Sequence, residues 1–205
     1  MNTILLESRL TRVEIGNEPR VWDAVRALRQ KVFCQEEGYL ADMMETPLDR
    51  RGVHIVIRHG EEPLACVTVI PPEHARDYAC EVGLPGAYIG QAALITKMAV
   101  IPESRRSNLA LLMVACLEHS IFCPHGYRYG FVVLKGRHCP KETLYRRLTG
   151  AERVAEGECA YGKQIVLIMD RECPTFQGVR KTVLDLQLTG YQEKSGANGG
   201  DHEVC

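Results

Sequence analysis

The stretch LITKMAVIPESRRSNLA, residues 94–110, decides what kind of molecule this is. Residues 93–101 (ALITKMAVI) form an apolar run with the length of a buried central strand. Pro102 stops it, because proline has no N–H to give to a ladder. A short basic loop with Arg105 and Arg106 follows. Residues 109–122 (LALLMVACLEHSIF) are then apolar on nearly every side, which predicts a helix buried around much of its circumference. The first N–H groups of a helix have no intrahelical partner, and the helix dipole adds positive potential there. A loop feeding such a terminus, with two arginines in it, is a natural seat for a phosphate.

Working outward, residues 9–15 (RLTRVEI) alternate as a strand does. Residues 18–35 read as an amphipathic helix, with Trp22, Val25, Leu28, Val32 and Phe33 recurring at three and four, and Gly38 marks its end. Residues 39–52 are a loop rich in Asp, Glu and Met. Residues 53–58 (VHIVIR) and 64–70 (LACVTVI) make a hairpin across the turn His59-Gly60-Glu61-Glu62. The irregular residues 74–91 carry no assignment. Beyond the long helix, residues 129–134 (YGFVVL) and 163–170 (KQIVLIMD) are strands, and 141–148 (KETLYRRL) a short helix. Residues 176–188 form a further helix, and the polar, glycine-rich residues 190–205 a disordered tail. This order implies one α/β domain over residues 1–189, a layered sheet with helices on its faces.

The bulk composition excludes several functions. Of 205 residues, 45 % are hydrophobic, enough for a core of useful size. Twenty-five basic residues against 26 acidic ones give no electrostatic footprint for nucleic acid or an anionic membrane. No apolar run approaches the ~20 residues that span a bilayer, and residues 1–9 lack the pattern of a signal peptide, so the expected location is cytoplasmic. The nine cysteines are irregularly spaced without a CxxC, as reduced, buried thiols would be. Cys116, His119 and Cys123, with His125 just beyond, have a spacing that could bind zinc. The same spacing in so apolar a helix is what core packing produces, and no metal is expected.

Three segments together resemble the GNAT acyltransferases. Arg105-Arg106-Ser107-Asn108-Leu109-Ala110 is similar to that family's Arg/Gln-x-x-Gly-x-Gly/Ala loop, with Asn108 and Arg106 where glycines are common; asparagine is the residue after glycine that best tolerates positive φ. Leu144-Tyr145-Arg146-Arg147-Leu148-Thr149-Gly150-Ala151 resembles the family's tyrosine-bearing helix and the leucine and glycine after it. Leu28-Arg29-Gln30-Lys31-Val32-Phe33, then Glu36-Glu37-Gly38-Tyr39, Asp49 and His54, resemble the branch containing N-acyl amino acid synthases and acyl-homoserine-lactone synthases. Order and spacing agree over residues 20–170.

The resemblance implies a mixed, mostly antiparallel sheet whose central strand splays from its neighbour, with a pantetheine arm in the gap. The backbone of Met98, Ala99 and Val100 would pair with pantetheine amides. Arg105, Arg106, Ser107, Asn108, Leu109 and Ala110 would hold the phosphate. Tyr145 would protonate the departing thiolate. Glu36 and Glu37 lead the candidates for the base, ahead of Asp49, His54 or a water. The implied activity is transfer of an acyl group from acyl-CoA or from the acyl-phosphopantetheine of an acyl-carrier protein to a small-molecule amine or amino acid, with no permanently bound cofactor. Plain acetylation by acetyl-CoA and a non-catalytic acyl-CoA sensor are the alternatives. Each candidate also has a bland reading: Arg105 and Arg106 as a solvated turn, Tyr145 as a packing residue, Glu36-Glu37 as a solvated helix end. Asp49-Arg50-Arg51 is expected to be a surface turn, and Cys34 a packed thiol rather than a nucleophile.

Overall fold

The computed structural model describes residues 4–7, 11–41, 44–105, 108–178 and 192–194. Its strands are β1 (Ile4–Glu7), β2 (Thr11–Gly16), β3 (Val53–His59), β4 (Glu62–Ile70), β5 (Ala92–Val100), β6 (Tyr129–Lys135), β7 (Glu152–Cys159), β8 (Gly162–Asp170) and β9 (Gln192–Lys194). Its helices are α1 (Pro19–Arg29), α2 (Pro72–Glu81), α3 (Leu109–Leu117), the single turn α4 (Cys123–His125) and α5 (Glu142–Thr149). The strands form one sheet in the order β7-β8-β6-β5-β4-β3-β2-β1-β9. All neighbours are antiparallel except β5 and β6, a parallel pair whose connection passes through α3. The fold is thus the mixed, mostly antiparallel layered α/β sheet expected.

The layers follow from period-two alternation. On β8, Ile165, Leu167 and Met169 pack with Met113 and Leu117 of α3, while Val166 and Ile168 pack with Ala75 and Ala79 of α2. On β3, Ile55 and Ile57 face the α3 layer and Val56 the α1 layer, against Val25 and Leu28. On β5 the alternation changes phase. Ala93 and Ile95 face α3, but so do Met98 and Val100, while Ala99 faces α1. The shift occurs at Lys97, which has φ 52° and sits where the β4–β5 register slips between Cys66 and Thr68. This is a β-bulge, which inserts one residue and re-aims the side chains after it.

Two helices contain π-helical stretches. α1 runs on as Gln30–Glu36, and α3 as Glu118–Phe122 before α4 closes it. The first stretch turns Val32 and Phe33 inward together and lies beside the cleft described below, where such stretches are common.

Several sequence expectations need correction. Residues 74–91, left unassigned, hold most of α2, begun by Pro72 at a position where proline lacks no needed N–H. β7 was not anticipated, because as an edge strand of largely exposed residues it shows no apolar alternation. Within the expected tail, Gln192–Lys194 pairs with the open edge of β1, which offers unpaired N–H and C=O groups. The remainder of that tail, and most of the helix expected at 176–188, lie outside the described residues. Asp49 is not at the surface: it is 1 % exposed, drawn inward by two cationic side chains.

Candidate active site

β5 and β6 pair only at Ala92↔Tyr129, Ala93↔Gly130 and Leu94↔Phe131. Past Leu94 the two strands part. The closed end is packed tightly: a Cβ on Gly130 would lie 2.6 Å from the Phe122 ring and 2.9 Å from Ile95 Cδ1. The gap opens a cleft of about 570 Å³ that reaches both faces of the sheet. On the α3 face it is walled by Met98, Val100, Val132 and Leu134, and on the α1 face by Phe33, Met44, Tyr78 and Val133. β4 already pairs with the other edge of β5, from Ile70↔Leu94 to Ala65↔Val100. The backbone of β5 from Ile95 to Val100 therefore presents its second edge to the cleft, where an extended ligand can pair with it.

Of the residues expected at the phosphate end, Arg105 and Ala110 line the cleft, joined by Ser104. Leu109 is buried in the core beneath them. Asn108 precedes α3 with φ −79°, so the loop does not use the positive φ that asparagine would tolerate. Arg106 and Ser107 lie outside the described residues. Arg105 is held at the rim. Its Nη1 and Nη2 donate to Glu36 Oε1 at 2.5 Å and Oε2 at 2.6 Å, and its Nε donates to the Val100 carbonyl at 3.1 Å. This fork bears on the expectation for Glu36. The hydrogen bond from Arg105 holds its carboxyl below the ordinary carboxylate range, which weakens Glu36 as a proton acceptor and ties its carboxylate to Arg105.

The bulge at Lys97 is fixed by a buried polar network. Lys97 Nζ pairs with Asp49 Oδ2, and Arg29 Nη2 lies 3.0 Å from Asp49 Oδ1. Arg29 also donates to Thr68 Oγ1 at 2.5 Å and to the Met44 carbonyl at 2.8 Å, and Thr46 donates twice to Asp49 Oδ2, each at 2.7 Å. Burial pushes the Asp49 carboxyl up, but Arg29, Lys97 and Thr46 together hold it below its usual range. A non-glycine residue at positive φ costs about 1–3 kcal/mol and persists only where its surroundings impose it; this network supplies the imposition. It also anchors the loop carrying Met44 to the cleft wall. His54 joins through its Nδ1, 2.8 Å from Thr68 Oγ1, and packs on Trp22. Burial pushes its imidazole down to about 4, with Arg29 and Lys97 assisting against Asp49. Neither Asp49 nor His54 lines the cleft.

Tyr145 lines the cleft from α5, half-buried against the main core, and burial pushes its phenol up to about 12. α5 ends at Gly150, whose φ of 67° is the left-handed cap that favours glycine. Glu37 also lines the cleft, and the fold brings to it a partner that sequence reasoning missed. His138, in the 3-10 segment Gly136–Lys141, has Nε2 3.4 Å from Glu37 Oε2 and 2.8 Å from the Tyr39 hydroxyl. No sequence signal marked it, since Tyr39 and His138 are 99 positions apart.

Among the described residues every cysteine is a free thiol, and no three His, Cys, Asp or Glu side chains cluster as metal ligands do. Cys116 faces the core, where burial pushes its thiol up to about 12. No described helix is long and apolar enough to cross a membrane.

No family model matches the sequence, and no curated protein matches it. Solved structures do match. BjaI, a CoA-dependent acyl-homoserine lactone synthase solved with SAM and isopentyl-CoA, superimposes with a TM-score of 0.63 at 11 % identity, over 88 % of this chain and 89 % of that one. FeeM, an N-acyl amino acid synthase from uncultured soil microbes, gives 0.58 at 17 % identity, over 87 % and 99 %. An acyl-CoA N-acyltransferase from Pseudomonas aeruginosa gives 0.56 at 12 % identity, over 82 % and 99 %. At these identities the likeness is one of fold. With its parted β5 and β6 and the helix between them, the chain has the GNAT fold, in the form that acyl-homoserine-lactone synthases and an N-acyl amino acid synthase also adopt.

Proposed function

We propose that this protein is an N-acyltransferase that moves an acyl group from a phosphopantetheine thioester, of CoA or of an acyl-carrier protein, to the amine of a small molecule or amino acid. The observation that carries this reading is the end of β5–β6 pairing at Leu94↔Phe131, which opens a through-sheet cleft beside the start of α3. A pantetheine arm is an extended chain of amides and fits an open strand edge as an added strand does. Its amides would pair with the backbone from Met98 through Ala99 to Val100, and its phosphate would meet the N–H groups opening α3, with Arg105 at the rim. A β5 N–H facing the gap would polarise the thioester carbonyl and stabilise the oxyanion of the tetrahedral adduct. The apolar wall of Phe33, Met44, Tyr78 and Val133 favours an acyl chain longer than acetyl. BjaI is a CoA-dependent acyl-homoserine lactone synthase and FeeM an N-acyl amino acid synthase, products in keeping with this reading.

Tyr145 would act on the leaving sulfur. A phenol near 12 stays protonated at any working pH. An ordinary thiol has a pKa of about 8.5, so complete transfer from phenol to thiolate runs uphill. Tyr145 therefore stabilises the thiolate as a hydrogen-bond donor, and the sulfur takes its final proton from solvent. Tyr145→Phe should lower kcat by about 10- to 100-fold, the worth of a hydrogen bond to a charged partner, and leave the donor KM unchanged.

The test is loss of thioester absorbance with acetyl-CoA, octanoyl-CoA and octanoyl-acyl-carrier protein, each with and without a panel of amino acids and homoserine lactone. Thioester absorbance is preferable to thiol titration because the chain carries nine cysteines of its own. Amine-dependent loss with an octanoyl donor is the expected result. A preference for acetyl-CoA would make the protein a plain acetyltransferase. Donor binding without turnover would make it a sensor.

A further inference from the structure

Resting on that reaction, we propose that His138 is the base that takes the acceptor amine's proton, at Nε2, with the Tyr39 hydroxyl as the relay and Glu37 as the positioning carboxylate. Four observations meet at this point. His138, Tyr39 and Glu37 all line the cleft. The Tyr39 hydroxyl lies 2.8 Å from His138 Nε2, a full hydrogen bond, and the two rings stack at 16°. Glu37 Oε2 is buried and accepts no hydrogen bond, although Nε2 is only 3.4 Å away. A buried carboxylate oxygen without a donor is costly. It gains its donor when Nε2 becomes protonated, so the site is arranged for the imidazolium that proton removal creates. The fourth observation is the fixed backbone of the segment. Gly136 has φ 51°, and a Cβ there would lie 2.5 Å from the Tyr161 carbonyl oxygen, so the turn that presents His138 is pressed against the β7–β8 hairpin.

The resting charge state agrees. Burial holds the imidazole below its ordinary range, with Lys141 and Arg137 lowering it and Glu37 opposing them. The ring is therefore neutral near pH 7, with Nε2 free to accept from Tyr39. Lys141 Nζ sits 3.6 Å from Glu37 Oε1, Arg137 donates to the Glu37 carbonyl, and its guanidinium lies over the Tyr39 ring at 4.6 Å. These contacts hold the Glu37 carboxylate and the Tyr39 ring in place.

The amine lone pair forms the C–N bond, the N–H proton passes to the Tyr39 oxygen, and the Tyr39 proton passes to Nε2. The C–S bond breaks with its electron pair on sulfur, which leaves as a thiolate beside Tyr145. His138 later returns its proton to solvent.

The experiment is a pH profile of amine-dependent thioester loss, with octanoyl-CoA as donor, for the unaltered protein and for His138→Gln, Glu37→Gln and Tyr39→Phe. Octanoyl-CoA affinity is followed separately by thermal shift. Expressed against the concentration of neutral amine, the unaltered rate should fall with acid through a single pKa below that of ordinary histidine. His138→Gln should lose about 100-fold or more in kcat and lose that acid limb, with octanoyl-CoA affinity intact. Glu37→Gln should move the limb to lower pH, because the imidazolium loses its partner. Tyr39→Phe should lower kcat and keep the limb. Retention of full rate or of the acid limb in His138→Gln overturns the assignment while leaving acyl transfer standing. A Glu37→Gln limb that stays in place, or moves to higher pH, overturns it also, independently of whether His138→Gln folds. Absence of turnover in the unaltered protein with octanoyl-CoA, acetyl-CoA and octanoyl-acyl-carrier protein alike overturns acyl transfer itself, and this assignment with it.

Discussion

The two edges of β5 behave differently. The edge toward β4 is paired from Leu94 to Val100, and its irregularity there, the Lys97 bulge, is locked by Asp49, Arg29 and Thr68. The edge toward β6 is paired over three residues and then open. One edge is over-determined and the other is left free, in the same strand. The lesson is that the opening depends on the locking. A strand with an unsatisfied edge is an invitation to mispair or slip, and only a strand fixed on its other side can hold that edge in register for a ligand.

Breaking the locked edge should have the largest effect. Asp49→Ala leaves the buried Arg29, and the half-buried Lys97 beside it, without their Asp49 counter-ion, and loss of one partner from a buried pair costs about 3–5 kcal/mol. Urea unfolding should show that loss as a lower midpoint with little change in slope; an unaltered midpoint would mean that the bulge is held by strand pairing alone. The closed end of the open edge comes next. Gly130→Ala forces a methyl group against Phe122 and Ile95, an overpacking worth about 1–3 kcal/mol. It should lower the melting temperature and, by wedging β6 away at its root, weaken donor binding as well. Normal stability and normal donor KM together would show that the strands can part further at no cost. The smallest effect is expected at the rim. Glu36→Gln removes a partly exposed pair, so stability should change by less than about 1 kcal/mol. With Glu36 no longer competing for the guanidinium, Arg105 becomes available to the donor phosphate, and KM for octanoyl-CoA should fall a few-fold. A rise would show instead that Glu36 aims Arg105 at the phosphate.

Much of the fold is legible in the sequence. The β3–β4 hairpin, the inner strands β6 and β8 and the buried α3 announce themselves, because residues covered on both sides must be apolar and their spacing then reports their geometry. The outer elements were not legible: β7 is mostly exposed, and α2 hides behind a proline pair. In the candidate site, Tyr145 and Glu37 were picked out, and both reach the cleft. Glu36 was picked out too, but its carboxylate turns to Arg105. Adjacent residues at a helix end point about 100° apart, and local spacing did not say which of the two would face the cleft. His138 could not be found, because its partners come from the other end of the chain and its segment has no period of its own.

The sequence by itself determined the layers, the position of the central strand and the helix start placed after it, since these follow from where apolar residues recur and where proline interrupts them. Tertiary structure alone decided that β5 changes phase at Lys97, that Asp49 is buried rather than exposed, and that Glu37, Tyr39 and His138 meet. The reason is physical. Periodicity is a property of neighbours along the chain, whereas a bulge, a buried charge and a proton relay are stabilised by groups far apart in sequence that only the folded chain brings within hydrogen-bonding distance.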